Sequence, residues 1–221
     1  MNNLREFTVD TGTGPSVRGF LHTPDEPSGD GIVLTHGAGA NCRSPLLTSL
    51  ANAFCDGGFT VLRFDLPFRQ VRPHGPPSRG SASLDQEGVR AAIESTKKLV
   101  SGRTFAGGHS YGGRQTTMLA ASSEGVADGL ILLSYPLHPP TRPADMRTAH
   151  FPKLRTAALF VHGSKDGFGS PEEMTSALGL IPAQTRLWVS TGSGHELLNK
   201  KNQQELPGKI IDEFRSFFDV R

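Results

Sequence analysis

Short apolar runs alternate with segments of helical periodicity along this 221-residue chain, and this alternation constrains the fold most strongly. Uninterrupted apolar runs bounded by turns are typical of strands covered on both faces. Helices between such strands predict a mostly parallel sheet with helices on both faces, formed by a single α/β domain over residues 1–221. The predicted strands are residues 31–36, 59–64, 104–108, 130–134, 156–161 and 186–190, preceded by a hairpin of residues 5–10 and 16–22.

Capping signals indicate where several of the predicted helices begin. The Ser-Pro pairs at 44–45 and 170–171 are typical of an N-cap followed by the first helical residue. Ser83 and Gln86 fit a capping box, which predicts a helix from there to about Val100. The remaining predicted helices are residues 111–122 and the apolar stripe from Leu206 to Phe218.

The composition, with modest hydrophobic content and many Gly and Pro residues, is typical of a globular chain with many turns. A formal net charge of +2 argues against nucleic acid or an anionic membrane as a partner. The chain lacks an apolar run of about 18 residues and a signal-type N-terminus, so we expect a cytoplasmic protein, either a monomer or a homodimer. Cys42 and Cys55 form no metal-ligand pattern, so we expect free thiols, no metal and no cofactor.

The run Gly108-His109-Ser110-Tyr111-Gly112 falls between a predicted strand and a predicted helix. The pattern Gly-x-Ser-x-Gly is common by chance, and an ordinary turn that contains a serine is the alternative interpretation. At a strand-to-helix junction, however, it is typical of a strained turn that exposes a nucleophilic hydroxyl above the sheet. Glycines on either side of Ser110 would remove side chains that collide there. We therefore predict that Ser110 is a nucleophile.

A second Gly-rich run, His36-Gly37-Ala38-Gly39, follows the first long strand. Acyl transfer needs two N–H donors aimed at the developing oxyanion, one from the residue after the nucleophile and one from an early loop. These donors would be the amides of Tyr111 and Ala38, with Gly39 as the next choice. A phosphate cradle is disfavoured because the run lacks the GxxxxGK[ST] and GxGxxG patterns. His36 precedes the serine and is interpreted as structural.

An acid and a base follow the serine, each just beyond a predicted strand. Asp166 follows the strand at 156–161, and His195 lies in a Gly-rich turn after the last strand. In the predicted mechanism His195 takes the proton of Ser110, and Asp166 orients His195. Asp128 lies at the wrong end of its strand, whereas Asp145, in an irregular loop, remains an alternative acid.

These runs resemble the α/β-hydrolase superfamily, in particular the predicted hydrolases related to testis-expressed protein 30 and, more distantly, the dienelactone hydrolases. The resemblance implies a hydrolase that uses Ser110, Asp166 and His195. Dienelactone hydrolases typically carry a nucleophilic cysteine, so the serine here argues against the same reaction. The resemblance rests on 36–39, 63–65, 107–114, 134–140 and 162–169.

Features around the predicted site suggest how it meets a substrate. About twenty residues separate the strand at 130–134 from the next, too few for a helical lid, so we expect an open site for short acyl or polymer-surface esters. Arginines in the predicted loop 66–81 and after the serine turn could hold an acidic group, although they could equally be solubilising surface charge. Those arginines are Arg69, Arg72, Arg79 and Arg114, and the candidate pocket-lining residues are Tyr135, His138 and Phe168.

The leading interpretation is thus a serine hydrolase of carboxylesterase or thioesterase type. Two alternatives stay open from the sequence. One is a non-catalytic scaffold on the same fold, because a fold does not determine a function. The other is an acyltransferase with the same three residues, because transfer and hydrolysis share the acyl-enzyme.

Overall fold

An eight-stranded sheet runs through the computed structural model, which describes residues 3–12, 14–78 and 80–220. The strand order is β1-β2-β4-β3-β5-β6-β7-β8. The N-terminal hairpin, β1 and β2, is antiparallel and joins the sheet through β4, while all other neighbours pair in parallel. The strands are β1 (Asn3–Val9), β2 (Val17–Thr23), β3 (Gly31–Thr35), β4 (Thr60–Phe64), β5 (Thr104–His109), β6 (Gly129–Leu133), β7 (Ala158–Gly163) and β8 (Thr185–Ser190).

Helices cover both faces of this sheet, as the apolar strand runs predict. Every residue of the five central strands, β3 to β7, is buried, which explains why their sequences read as continuous apolar runs. The mostly parallel α/β fold is therefore confirmed. The helices are α1 (Pro45–Asp56), α2 (Pro67–Val71), α3 (Ala82–Lys97), α4 (Tyr111–Ser122), α5 (Pro171–Leu178) and α6 (Leu206–Phe218).

Two separate apolar cores lie on the two faces. Helices α3, α4 and α5 enclose one, and α1 and α6 enclose the other. In the second core Phe54, Phe59 and Phe214 meet edge to face, with ring centroids 5.1 to 5.7 Å apart. Truncating one of these rings to alanine would cost about 3–5 kcal/mol of stability.

Both cysteines are buried free thiols, as expected from the sequence. Cys55 packs in the core beneath α1 and α6, and Cys42 lies beside Asp65, whose carboxylate accepts a hydrogen bond from the Cys42 amide at 2.7 Å. Burial raises the pKa of Cys42 to about 12 and that of Cys55 to about 11.

Two local predictions are wrong. Residues 66–81 were expected to be irregular, but they contain the five-residue helix α2, which begins at Pro67 and is too short to show helical periodicity. The capping box at Ser83 does not form, because α3 already begins at Ala82 and places Ser83 inside its first turn. The capping box at Ser170 is confirmed, since the Ser170 hydroxyl accepts from the Glu173 amide and the Glu173 carboxylate accepts from the Ser170 amide.

The connection between β6 and β7 carries no helical lid. Residues 134–157 contain one short 3-10 turn, Phe151–Lys153, and no α-helix. This connection therefore supplies no helical cover to the carboxyl ends of the parallel strands, where the candidate site lies. Among the described residues, no helix is both long and apolar enough to cross a membrane.

Candidate active site

Ser110 occupies a strained turn between β5 and α4. Its φ is +50°, a region that residues other than glycine rarely adopt. Its amide donates to the Leu133 carbonyl at 2.8 Å, which ties the turn to the neighbouring strand β6. A Cβ added at Gly108 would lie 2.4 Å from the Thr35 carbonyl oxygen, and one at Gly112 would lie 2.6 Å from that of His36. Because β3 and the loop after it approach the turn so closely, only glycine fits at positions 108 and 112.

Three side chains form a continuous hydrogen-bonded chain that ends at Ser110. His195 Nε2 lies 2.8 Å from Ser110 Oγ. His195 Nδ1 lies 3.0 and 2.9 Å from the two carboxylate oxygens of Asp166. The residues come from loops after three different strands, β5, β7 and β8, whose carboxyl ends meet at one edge of the sheet.

The Asp166 carboxylate is buried and held ionised. It accepts a hydrogen bond from the Phe168 amide at 2.8 Å in addition to those from His195. Burial by itself raises the pKa of Asp166, but the His195 hydrogen bond and charge and the Phe168 amide outweigh it, so the pKa lies below its usual value. The neighbouring His162 donates through Nε2 to the Gly169 carbonyl at 2.8 Å, which holds the turn that carries Phe168.

Two further residues hold His195, one through its ring and one through its backbone carbonyl. Phe168 stacks on it, with ring centroids 4.1 Å apart and an angle of 29° between the planes. His109 donates from Nε2 to the His195 carbonyl at 2.8 Å, and burial lowers the pKa of His109, which keeps it neutral. The sequence analysis missed His109, although its position inside the Ser110 motif could have pointed to it.

The Gly-rich loop, residues 36–40, lies directly against the Ser110 turn. The His36 carbonyl accepts from the Gly112 amide at 3.1 Å, and a Cβ on Gly37 would lie 3.0 Å from the ring of His109. Within the described parts of the chain, the amides of Ala38 and Tyr111 donate no hydrogen bond to protein. Both are free to serve a ligand. Gly39 is exposed, with open space where a side chain would project.

Arg69 holds the Gly-rich loop from behind. It is buried on α2, and its guanidinium donates to the carbonyls of Ala38 at 2.7 Å and Ala40 at 2.8 Å. It also donates to the carbonyls of Arg72 and Gly75, each at 2.9 Å. Because it is buried and its donors are occupied in this way, Arg69 is not the solubilising surface charge considered from the sequence, and its guanidinium has little left to offer an acidic group. It instead holds the carbonyls of Ala38 and Ala40, and so restrains the loop that carries the Ala38 amide.

Tyr111 is anchored by an acid that the sequence analysis missed. Its hydroxyl donates to Asp85 Oδ2 at 2.7 Å, and Asp85 Oδ1 accepts from the Phe68 amide at 3.0 Å. Phe68 packs edge to face on the Tyr111 ring. Asp85 is fully buried and lies on the same inward face of α3 as Val89. A carboxylate is unusual on the buried face of a helix, and this position is the sequence signal that could have revealed it.

His36, interpreted from sequence as structural, is buried and hydrogen-bonded. Its Nε2 accepts from the Leu66 amide at 3.1 Å. Of the competing acids, Asp128 binds the Thr104 amide at the opposite end of the sheet, and Asp145 pairs with Arg142 at 3.0 Å. Neither is hydrogen-bonded to His195.

Two of the other predicted substrate contacts are buried and bound to protein groups. Tyr135 is buried and donates to the Arg147 carbonyl at 2.7 Å, and the buried His138 lies 3.5 Å from Glu173. Both therefore stabilise the loop after β6 rather than an open pocket wall. Arg114 is half-buried, one turn after Ser110 on α4. Arg79 lies outside the described residues. Within those residues, no group of three or more His, Cys, Asp or Glu side chains could hold a metal ion.

Solved structures share this architecture over nearly their whole length. A dienelactone hydrolase from Anabaena variabilis is 18% identical, with a TM-score of 0.75 and 98% of each chain covered. An α/β serine hydrolase without a lid from Xanthomonas campestris is 19% identical, with a TM-score of 0.75, covering 99% of this chain and 97% of its own. An α/β serine hydrolase homologue from Coxiella burnetii is 17% identical, with a TM-score of 0.76, covering 96% and 98%. The fold is thus that of the α/β-hydrolases.

The family follows from the sequence itself. Residues 29–217 match the model of the alpha/beta hydrolase domain family, which is most of the chain. The chain belongs to this family. The superfamily predicted from the quoted motifs is therefore confirmed, and so is the broad prediction that the protein is a hydrolase.

Proposed function

We propose that this protein is a serine hydrolase that cleaves small ester or thioester substrates through an acyl-enzyme on Ser110. The observation that carries the proposal is the hydrogen-bonded chain from Asp166 through His195 to Ser110. Nucleophile, base and orienting acid within hydrogen-bond reach are what activation of a serine requires. The free amides at Ala38 and Tyr111 supply the second requirement, donors for an oxyanion.

In the acylation half of the reaction, His195 Nε2 removes the proton of Ser110 as Oγ bonds to the substrate carbonyl carbon. The carbonyl oxygen becomes an oxyanion, which accepts hydrogen bonds from the Ala38 and Tyr111 amides. The N-terminus of α4 adds a favourable positive potential. Asp166, ionised in the neutral range, stabilises the imidazolium that forms. His195 then gives its proton to the leaving alcohol or thiol, and Ser110 is left acylated.

Deacylation repeats these steps with water as the nucleophile. His195 takes a proton from the water as its oxygen attacks the acyl carbon, the same two amides hold the second oxyanion, and the proton returns to Ser110 as the acid product leaves. The absence of a helical lid among the described residues supports short acyl or polymer-surface esters over deeply buried lipids. The substrate we propose is a small molecule, rather than nucleic acid or a membrane.

A panel of p-nitrophenyl esters and thioesters of increasing acyl length tests the proposal. We expect turnover of short chains by the wild type, and a loss of kcat of about 10⁵- to 10⁶-fold in Ser110→Ala. The exposed Ser176→Ala on α5 is the matched control and should retain full activity.

A fluorophosphonate probe tests the nucleophile without knowledge of the substrate. The wild type and Ser176→Ala should be labelled, and Ser110→Ala should not. A folded wild type that resists labelling and hydrolyses none of the esters would favour a non-catalytic scaffold. Labelling that persists in Ser110→Ala would show that another residue is the nucleophile.

A further inference from the structure

A cavity of about 630 Å³ lies beside α4, outside the site at Ser110. Side chains of α4 form one wall, among them Arg114 and Met118, and the loop after β6 forms the other. That loop contributes Arg147, His150 and Lys153. Three of the lining side chains are thus cationic, and the lining contains no carboxylate.

The cations of this cavity form no ion pair with any described residue. None of Arg114, Arg147 and Lys153 lies within ion-pair distance of a carboxylate in the described part of the chain. The charge of Asp145 acts on Arg147, but the carboxylate is already paired with Arg142. Such a concentration of uncompensated positive charge is unfavourable in a partly buried site. It would be relieved by an anion.

One donor at this position is also left unsatisfied. The Nε atom of Arg114 is buried and has no hydrogen-bond partner, although buried polar groups are nearly always paired. Burial and the charge of Arg114 lower the pKa of Arg147, and the same two causes lower the pKa of His150 to about 4. His150 is therefore neutral near pH 7, so the positive charge is concentrated on the two arginines and Lys153.

We propose that this cavity binds an oxyanion, the carboxylate or phosphate group of a small molecule, between Arg114 and Arg147. A guanidinium offers two parallel N–H donors that match the two oxygens of such a group. Lys153, exposed at the rim, adds a third positive charge. The volume of the cavity is in the range typical of small-molecule sites.

The cavity adjoins the Ser110 site. Arg114 follows Ser110 by one helical turn, its amide donates to the Ser110 carbonyl at 3.0 Å, and four residues of helix span about 6 Å. The loop that carries Arg147 also reaches the His195 side, because the His138 amide donates to the Phe168 carbonyl at 3.1 Å. The anion therefore has two possible sources. It is either the acidic end of an ester whose carbonyl lies at Ser110, an alternative that rests on the proposed function, or a separate molecule.

Binding of inorganic phosphate, measured by titration calorimetry, tests the site without any turnover. We expect saturable binding to the wild type that weakens by about tenfold or more, ~1.4 kcal/mol, in Arg114→Gln and in Arg147→Gln. Lys98→Gln, which removes one exposed charge at the far end of α3, should bind like the wild type. Lys153→Gln, at an exposed position, provides a further test should Arg114→Gln fail to fold, with a smaller expected loss.

Paired esters distinguish the two sources of the anion. The substrates are p-nitrophenyl hydrogen adipate and p-nitrophenyl hexanoate, which differ in one terminal carboxylate. If the anion is part of the substrate, the ratio of kcat/KM for the acidic over the neutral ester should fall by about tenfold in Arg147→Gln, and phosphate should inhibit the acidic ester competitively. If the anion is a separate molecule, phosphate still binds at the arginines and the ratio stays unchanged.

Phosphate binding that is absent, or equally strong in wild type, Arg114→Gln and Arg147→Gln, together with an unchanged ester ratio, would overturn the proposal. This result is independent of Ser110 chemistry, because calorimetry requires no hydrolysis. Loss of ester turnover with retained, arginine-dependent phosphate binding would instead refute the proposed function and leave the anion site intact.

Discussion

Two loops meet at Ser110, and they are held in different ways. The Gly-rich loop is held from outside the site by Arg69, a buried charge that donates to four backbone carbonyls. The histidine loop, residues 191–198, is held by several backbone and side-chain hydrogen bonds, among them those from Ser164, Lys165 and Asn202. A separate set of side chains holds His195 itself. His109 bonds the His195 carbonyl, Phe168 stacks on the ring, and Asp166 accepts from it.

This difference determines whether a substitution in each loop should affect stability and kcat together or kcat alone. Removing Arg69 takes the donor from four backbone carbonyls and leaves a gap where a buried side chain stood, so the loop and the fold around it should be destabilised together. Removing Phe168 takes away the ring stacked on His195, and removing His109 takes away one bond to the His195 carbonyl. The bonds from Ser164, Lys165 and Asn202 stay in place. Variants of the Gly-rich loop should therefore lose both stability and kcat, whereas variants of the histidine loop should lose mainly kcat.

Asp166→Asn should have the largest effect of the four substitutions. The amide can no longer stabilise a charged His195 or fix the tautomer in which Nε2 accepts from Ser110. We expect kcat to fall by about 10⁴-fold. Thermal unfolding should change little, because the substitution preserves the shape of the side chain. A large drop in melting temperature would contradict the expectation that substitutions around His195 lower mainly kcat.

Arg69→Ala should lower kcat by about 10²- to 10³-fold, the effect of losing one oxyanion donor, because the loop that carries the Ala38 amide is no longer held in place. It should also lower the free energy of unfolding by about 3 kcal/mol. Arg69→Lys restores the charge but not the planar set of guanidinium N–H donors, so it should recover only part of both losses. The exposed Arg155→Ala is the control. If Arg69→Ala melts early but keeps wild-type kcat below its transition, the loop does not depend on Arg69 for its function.

His109→Leu should lower kcat by about tenfold with little change in KM, because a shift of His195 misaligns proton transfer. His109→Gln can still donate to the His195 carbonyl and should restore part of the rate. Steady-state kinetics and thermal melts of both variants test this. Equal activity of the two would show that the hydrogen bond contributes nothing.

Phe168→Leu should have the smallest effect, a fall in kcat of about three- to tenfold, since a stacked ring pair contributes ~0.5–1.5 kcal/mol beyond its buried area. The Phe168 amide, which donates to Asp166, is unaffected by the substitution. A loss as large as that of Asp166→Asn would mean that the ring positions the whole chain of hydrogen bonds.

Most of the fold was predictable because buried strands leave a strong local pattern. All eight strands lie within two residues of their predicted bounds. Ser110, Asp166 and His195 could be brought together from sequence because each follows a strand, and the carboxyl ends of parallel strands share an edge. The short helix α2 was missed because five residues carry no periodic signal.

The roles of the arginines could not be predicted, since they depend on tertiary contacts. Arg69 lies in a Pro- and Arg-containing stretch and Arg114 directly follows Gly112-Gly113, and neither sequence context shows what the guanidinium contacts. Four carbonyls happen to face Arg69, whereas Arg114 Nε faces no acceptor. Asp85 and His109 were missed for the same reason, because their partners lie 26 and 86 residues away along the chain.

The two buried thiols have a practical consequence for labelling chemistry. With a pKa of about 12 for Cys42 and about 11 for Cys55, the thiolate fraction near pH 7 is on the order of one in ten thousand or less. Maleimides and mild oxidants should therefore leave the folded chain unmodified. A cysteine introduced on the surface would be the one reactive thiol, so a fluorophore could be attached beside the site without first replacing either native cysteine.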